Sequence, residues 1–129
     1  MYRITIALVA ALAAPSAPLA AQDGVVDLAT ALRCSAAFGI VAAEQQRGVA
    51  VSIRDYPPLG TRGREFFVQT GARLMDEQKL TREQVRARFQ AEVEKLQAEA
   101  IAAPDAAVLV RGVLRPCLAL LDATVPASR

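Results

Sequence analysis

Histidine is missing from this sequence, and so is tryptophan. Without histidine the chain lacks the commonest general base, the commonest transition-metal ligand and the one side chain that titrates unperturbed near neutral pH. Ser-His-Asp and Cys-His catalytic sets fall with it. Aromatic residues make up only 5% of the chain, so its core must be aliphatic, with Phe38, Phe66, Phe67 and Phe89 as the large anchors. Lysine occurs only at Lys79 and Lys95, and arginine carries the remaining positive charge. Together with the abundant alanine, this points to a GC-rich bacterial genome. The 15 basic and 13 acidic residues leave a net charge of +2, which is not the balance of a nucleic-acid-binding protein. No glycine-rich phosphate loop is present, because Gly60-Thr61-Arg62-Gly63 has neither the spacing nor the lysine of that motif.

The apolar run Ile4 to Ala14 follows the single positive charge of Arg3. It falls short of the ~20 residues that span a bilayer and suits the central region of a secretory signal. Pro15-Ser16-Ala17-Pro18-Leu19-Ala20-Ala21 then breaks the helix and offers small residues. The expected cut lies after Ala21, with Gln22 as the new N-terminus; the competing reading is an uncleaved anchor. Residues 1–21 are thus a Sec-type signal peptide, and residues 22–129 form one domain of the periplasm or the exterior. Losing Arg3 lowers the net charge by one, and no stable membrane insertion is expected after cleavage.

Four helices are legible in the remainder. The first spans about 27–46, with Asp27 as cap and Leu28, Leu32, Ala36 and Ile40 recurring every four residues; Phe38 and Val41 widen that stripe and Cys34 sits beside it. Gly39 within it implies either a close backbone approach or a propensity cost carried by packing. Gly48 is the expected stop. Residues 49–60 are a Pro-rich linker. Val49, Val51 and Ile53 alternate like a strand, yet a lone strand has nothing to pair with, so an extended or irregular stretch is expected. The second helix covers about 61–78, capped by Thr61, with Phe67, Gly71, Leu74 and Gln78 on one line and Phe66 alongside. Arg73 and Glu77 are spaced to pair.

Thr81-Arg82-Glu83-Gln84 fits a capping box, and Leu80 and Val85 are placed for a hydrophobic staple. The third helix therefore starts at Thr81 and runs to about 101, with Val85, Phe89, Val93, Leu96 and Ala100 on its apolar face. Pro104 ends it. Asp105 caps the fourth helix, about 105–122, whose buried face is Val110, Val113, Leu114, Cys117, Leu118 and Leu121. Pro116 removes the bond to the Gly112 carbonyl, which predicts a kink or break there. Residues from Thr124 onward should fray.

Two cysteines in a secreted bacterial domain most simply form one disulfide, Cys34–Cys117; free thiols and an intermolecular bridge are the rivals. Cys34 sits in the first half of its helix and Cys117 in the second half of its own. They come level when the first and fourth helices run antiparallel, as in an up-down-up-down four-helix bundle. The fold expected is therefore all-α, a single-domain four-helix bundle tied by one disulfide. Signal, helices and single bridge resemble small helical periplasmic proteins such as acid-stress chaperones. The resemblance is of architecture alone, and it assigns no residue a role.

No catalytic residue, metal site or cofactor is assigned. The candidate partner-binding surface is the linker and its flank: Arg54, Tyr56, Pro57, Pro58, Arg62 and Arg64. Three arginines, a tyrosine and a stiff backbone suit an anionic glycan, a lipid headgroup or a peptide. The weightier alternative is a packed crossover in which Tyr56 and Leu59 cover the end of the bundle. The leading function is a non-enzymatic binding or stress-accessory protein whose partner is a protein or envelope component, with the oligomeric state left open. A carboxylate hydrolase drawing on Glu44, Glu65 or Glu77 needs two acids facing each other about 5–10 Å apart. An apolar-ligand carrier needs a cavity in the aliphatic core.

Overall fold

Asp27 opens the first helix by accepting hydrogen bonds from the backbone amides of Ala29 and Thr30 and from the Thr30 hydroxyl. The computed structural model describes residues 26–127, so the leader expected over 1–21 lies outside the described residues. Five helices follow: α1 Leu28–Gln46, α2 Ala50–Asp55, α3 Gly60–Gln78, α4 Arg82–Ala102 and α5 Ala106–Thr124. The fold is all-α, a single bundle in which a disulfide joins the first helix to the last.

The helix α1 is the axis of the molecule and touches all four others. Its buried residues are Ala31, Leu32, Cys34, Ser35, Ala36, Ala37, Phe38 and Val41, which include the expected Leu32, Cys34, Ala36, Phe38 and Val41 and extend them to a nearly continuous run. A helix that is apolar all round belongs in the interior, and here alanine, serine and cysteine allow neighbours to approach from several sides. Gly39 meets no close backbone; nothing lies within 4 Å of where its Cβ would stand. The close approach comes instead at Gly63 of α3, whose Cβ would lie 3.2 Å from the Cβ of Phe38.

The helix α3 runs antiparallel to α1. Gly63 sits by Phe38, Thr70 Oγ1 lies 3.2 Å from Ser35 Oγ, and Arg73 donates to the Val26 carbonyl at 2.7 Å. Its buried face is Gly63, Phe66, Thr70, Gly71 and Leu74. Phe66, not Phe67, is the core aromatic, and it meets Phe38 edge to face at 5.4 Å. Phe67 lies half-exposed against Phe89 of α4, with ring centroids 4.1 Å apart. Nor is Thr61 the cap: α3 begins at Gly60, because Leu59 is fully buried and its amide donates to Gln45 Oε1 at 3.1 Å.

A left-handed Lys79 makes the turn into α4, and the capping box forms as expected, with Thr81 and Gln84 each bonding the other's backbone amide. Val85, Phe89 and Leu96 face inward, and Leu80 packs with Val85, Phe89, Leu32 and Leu74. Arg33, the one charged residue amid the buried run of α1, spans to Glu99 (2.6 Å) and Glu92 (3.5 Å) of α4. Asp105 caps α5 through the amides of Ala107 and Val108. The order α1, α3, α4, α5 is the expected up-down-up-down path, and Cys34 meets Cys117 with Cα atoms 5.2 Å apart.

Of the kink or break expected at Pro116, the break does not occur: α5 continues through the proline. Gly112 and Pro116 are both exposed, so water reaches the carbonyl that the proline leaves unpaired. The end does not fray at Thr124. Val125 is buried and its carbonyl accepts two bonds from Arg62, at 2.9 and 2.6 Å.

The linker is corrected as well. Residues 50–55 are helical rather than extended. Gly48, at φ 76°, turns the chain back, and the Val49 carbonyl accepts from the Ile53 amide to close the first turn. The alternation of β-branched residues that suggests a strand yields to context, since the described residues hold no second strand to pair with. Ser52 is buried and donates to Glu44 of α1.

A candidate binding cleft between α1, α2, α4 and α5

The short helix α2 cannot cover the flank of α1 as a full-length helix would. With the C-terminal half of α1, the end of α4 and the start of α5, it encloses a cleft of about 700 Å3. That volume lies within the ~300–1,000 Å3 typical of small-molecule sites. Ala37, Ile40 and Val41 of α1 contribute one wall; Leu96, Ala100 and Ile101 of α4 the second; Leu109, Val110 and Val113 of α5 the third. The polar lining groups are Glu44 and Arg47 at the end of α1, the buried Ser52 with Arg54 and Asp55 on α2, Gln97 on α4 and Arg111 on α5. A mostly aliphatic lining with a few polar groups is the usual make-up of a ligand pocket.

The rim is held by a network that starts at Gln45. Its Nε2 donates to the carbonyls of Ser52 (3.0 Å) and Pro57 (2.9 Å), and its Oε1 accepts from the Leu59 amide (3.1 Å). One side chain thus ties the end of α1 to α2 and to the entry of α3. Glu44 is occupied by the Ser52 hydroxyl, and Asp55 by Arg54 Nε at 2.8 Å. Among the described residues, Arg47 and Arg111 form no ion pair.

The six residues of the sequence-derived surface divide. Arg54 and Tyr56 line the cleft, with Tyr56 half-buried against the core. Pro57 and Pro58 are exposed in the α2–α3 connection. Arg62 turns the other way: besides the Val125 carbonyl it holds Asp122 at 2.7 Å, fastening the end of α5 to α3. Arg64 is exposed and borders a separate hollow of about 300 Å3 between α1 and α3. The candidate surface is therefore not one continuous basic face. Of the three candidate acids, Glu44 reaches the cleft, Glu65 lies near Gln69 on α3, and Glu77 pairs with Arg73 at 2.9 Å.

Most cleft residues carry no local signal in the sequence. Ala37, Ala100, Leu109 and Val110 look like ordinary core positions of amphipathic helices, and only the packing reveals that their faces leave a space. Gln45 could have drawn notice as an amide in a helix end followed at once by a turn and two prolines. Two carboxylates have shifted titration. The hydroxyl of Thr30 and the amide of Ala29 hold Asp27 below the usual carboxylate range, and the Arg33 guanidinium does the same for Glu99. Arg33 is raised in turn by its bond to Glu99.

Among the described residues no group of three His, Cys, Asp or Glu side chains is placed to hold a metal, and no helix is long and apolar enough to cross a membrane. Comparison of the chain with protein-family models, with curated proteins and with solved structures finds no match.

Proposed function

We propose that this is a non-enzymatic binding protein of the bacterial envelope that holds an apolar small molecule in the cleft beside α2. One observation carries the reading: a mostly aliphatic space of about 700 Å3 opens at the side of the bundle, lined by three helices' apolar side chains and a small set of polar ones. A bundle of this size would gain stability by closing that space, since protein interiors normally pack to crystal-like density. Ile101 argues in the same direction. It is 86% exposed, yet it lies at the cleft, and an apolar occupant would cover it.

An envelope location is supported by the signal-like residues 1–21 and by the Cys34–Cys117 bridge, which belongs in an oxidising compartment. Glu44 and Asp55 are already engaged by neighbouring side chains, so the cleft reads as a place to hold rather than to hydrolyse. Fractionation of the native host with N-terminal sequencing tests the location. We expect a periplasmic or secreted chain beginning at Gln22; an intact cytoplasmic chain would contradict it.

The binding role is tested with an environment-sensitive apolar dye such as N-phenyl-1-naphthylamine. The natural chain should bind it saturably. Ala100→Trp, which fills the cleft, should abolish binding while leaving the helical circular dichroism unchanged. Equal binding by both proteins, or none by the natural chain, would overturn the assignment.

A further inference from the structure

We infer that the cleft selects a single-chain amphiphile with an anionic head, the head held by Arg47 and Arg111 and the tail laid along the aliphatic walls. The inference rests on the apolar-binding reading and names the class of molecule for the same site. Its basis is the balance of charge on the rim. Five charged side chains line the cleft: Arg47, Arg54, Arg111, Glu44 and Asp55. Asp55 is ion-paired with Arg54, while Glu44 accepts from the Ser52 hydroxyl and keeps its charge, so the lining holds one more guanidinium than carboxylate. Among the described residues two of the guanidinium groups, from different helices, have no ionic partner at the edge of an apolar space. Guanidinium offers paired donors in a planar fork that suits carboxylate and phosphate oxygens, and a charge-assisted bond there is stronger than a neutral one.

The apolar side fits the same class. Val51 of α2 and Ile101 of α4 both line the cleft, and both leave much of their side chains exposed. A flexible alkyl chain can follow an open, aliphatic channel and cover them. A cationic amphiphile would meet the unpaired arginines unfavourably, and a purely apolar molecule would leave them unused.

The test compares three ten-carbon probes of matched tail at pH 7 by displacement of the bound dye: decanoate, decanol and decyltrimethylammonium. Decanoate should bind about tenfold more tightly than decanol, as a charge-assisted hydrogen bond implies, and raised salt should narrow the difference. In the double variant Arg47→Gln, Arg111→Gln the preference for decanoate over decanol should vanish, with an unchanged helical circular dichroism reporting an intact fold. Equal affinities for decanoate and decanol in the natural chain, or a decanoate preference that survives the double variant, would overturn the inference and leave the apolar cleft standing. Failure of the dye and all three probes to bind would overturn both.

Discussion

Glycines at different positions of this bundle have opposite meanings. Gly63 is buried where α3 crosses Phe38, and an added Cβ would lie 3.2 Å from the Phe38 Cβ, an atom next to the backbone with little room to retreat. Gly63→Ala should therefore lower the melting temperature despite the better helix propensity of alanine. Gly39 lies in open space within α1, so Gly39→Ala should stabilise by up to about 1 kcal/mol. Thermal unfolding of the two variants side by side checks both signs. The cysteines are the other decisive residues. Closing a loop with a sequence separation of 83 contributes about 4–5 kcal/mol in the chain-entropy model, comparable to a large share of a small domain's stability. Cys34→Ser, or the natural chain under strong reductant, should unfold at a markedly lower denaturant concentration; an unchanged midpoint would show that the bridge contributes nothing.

Individual helices differ in how far their own residues specify them. The start of α4 was legible from Thr81 and Gln84 because a capping box is a local device, complete within four residues. Thr81→Ala should cost about 1 kcal/mol in urea unfolding. The helix α2 was not legible. Its six residues are held by Glu44 and Gln45 of α1, contacts that pattern and propensity do not encode. Gln45→Ala should raise amide exchange across residues 50–59 while leaving α4 protected; uniform exchange in the two regions would contradict the role given to Gln45. On α3, Gly71 and Leu74 are buried as expected, and Phe66 takes the core place given to Phe67, because two adjacent aromatics give periodicity no way to choose between them. Pro116 does not end α5, because an exposed carbonyl can turn to water and a proline at an outer face need not break a helix.

At the scale of the whole molecule, Cys34 and Cys117 made the up-down-up-down path readable in advance, since only an antiparallel first and last helix brings them level. The cleft was not readable, because it depends on how far four helices stand apart. Charge also acts at this scale. The folded pKa values of Asp27 and Glu99 lie below their ordinary ones, through the Thr30 hydroxyl and the Arg33 guanidinium. Stability from these groups is present above the unfolded values, about 3.9 and 4.3, and is lost as pH falls through the folded ones. The urea midpoint should therefore fall below about pH 4, and Asp27→Asn with Glu99→Gln should flatten that fall.

Uptake of an apolar molecule into the space beside α2 is the central property to measure. Methyl NMR during titration with decanoate locates the contact directly. Shifts should concentrate on Ile40, Val41, Leu109, Val110 and Ile101, which line the cleft, with Val68 on the far exposed surface of α3 unmoved. Saturable shifts centred on Val68 and Met75 of α3, or no shifts at all, would contradict it.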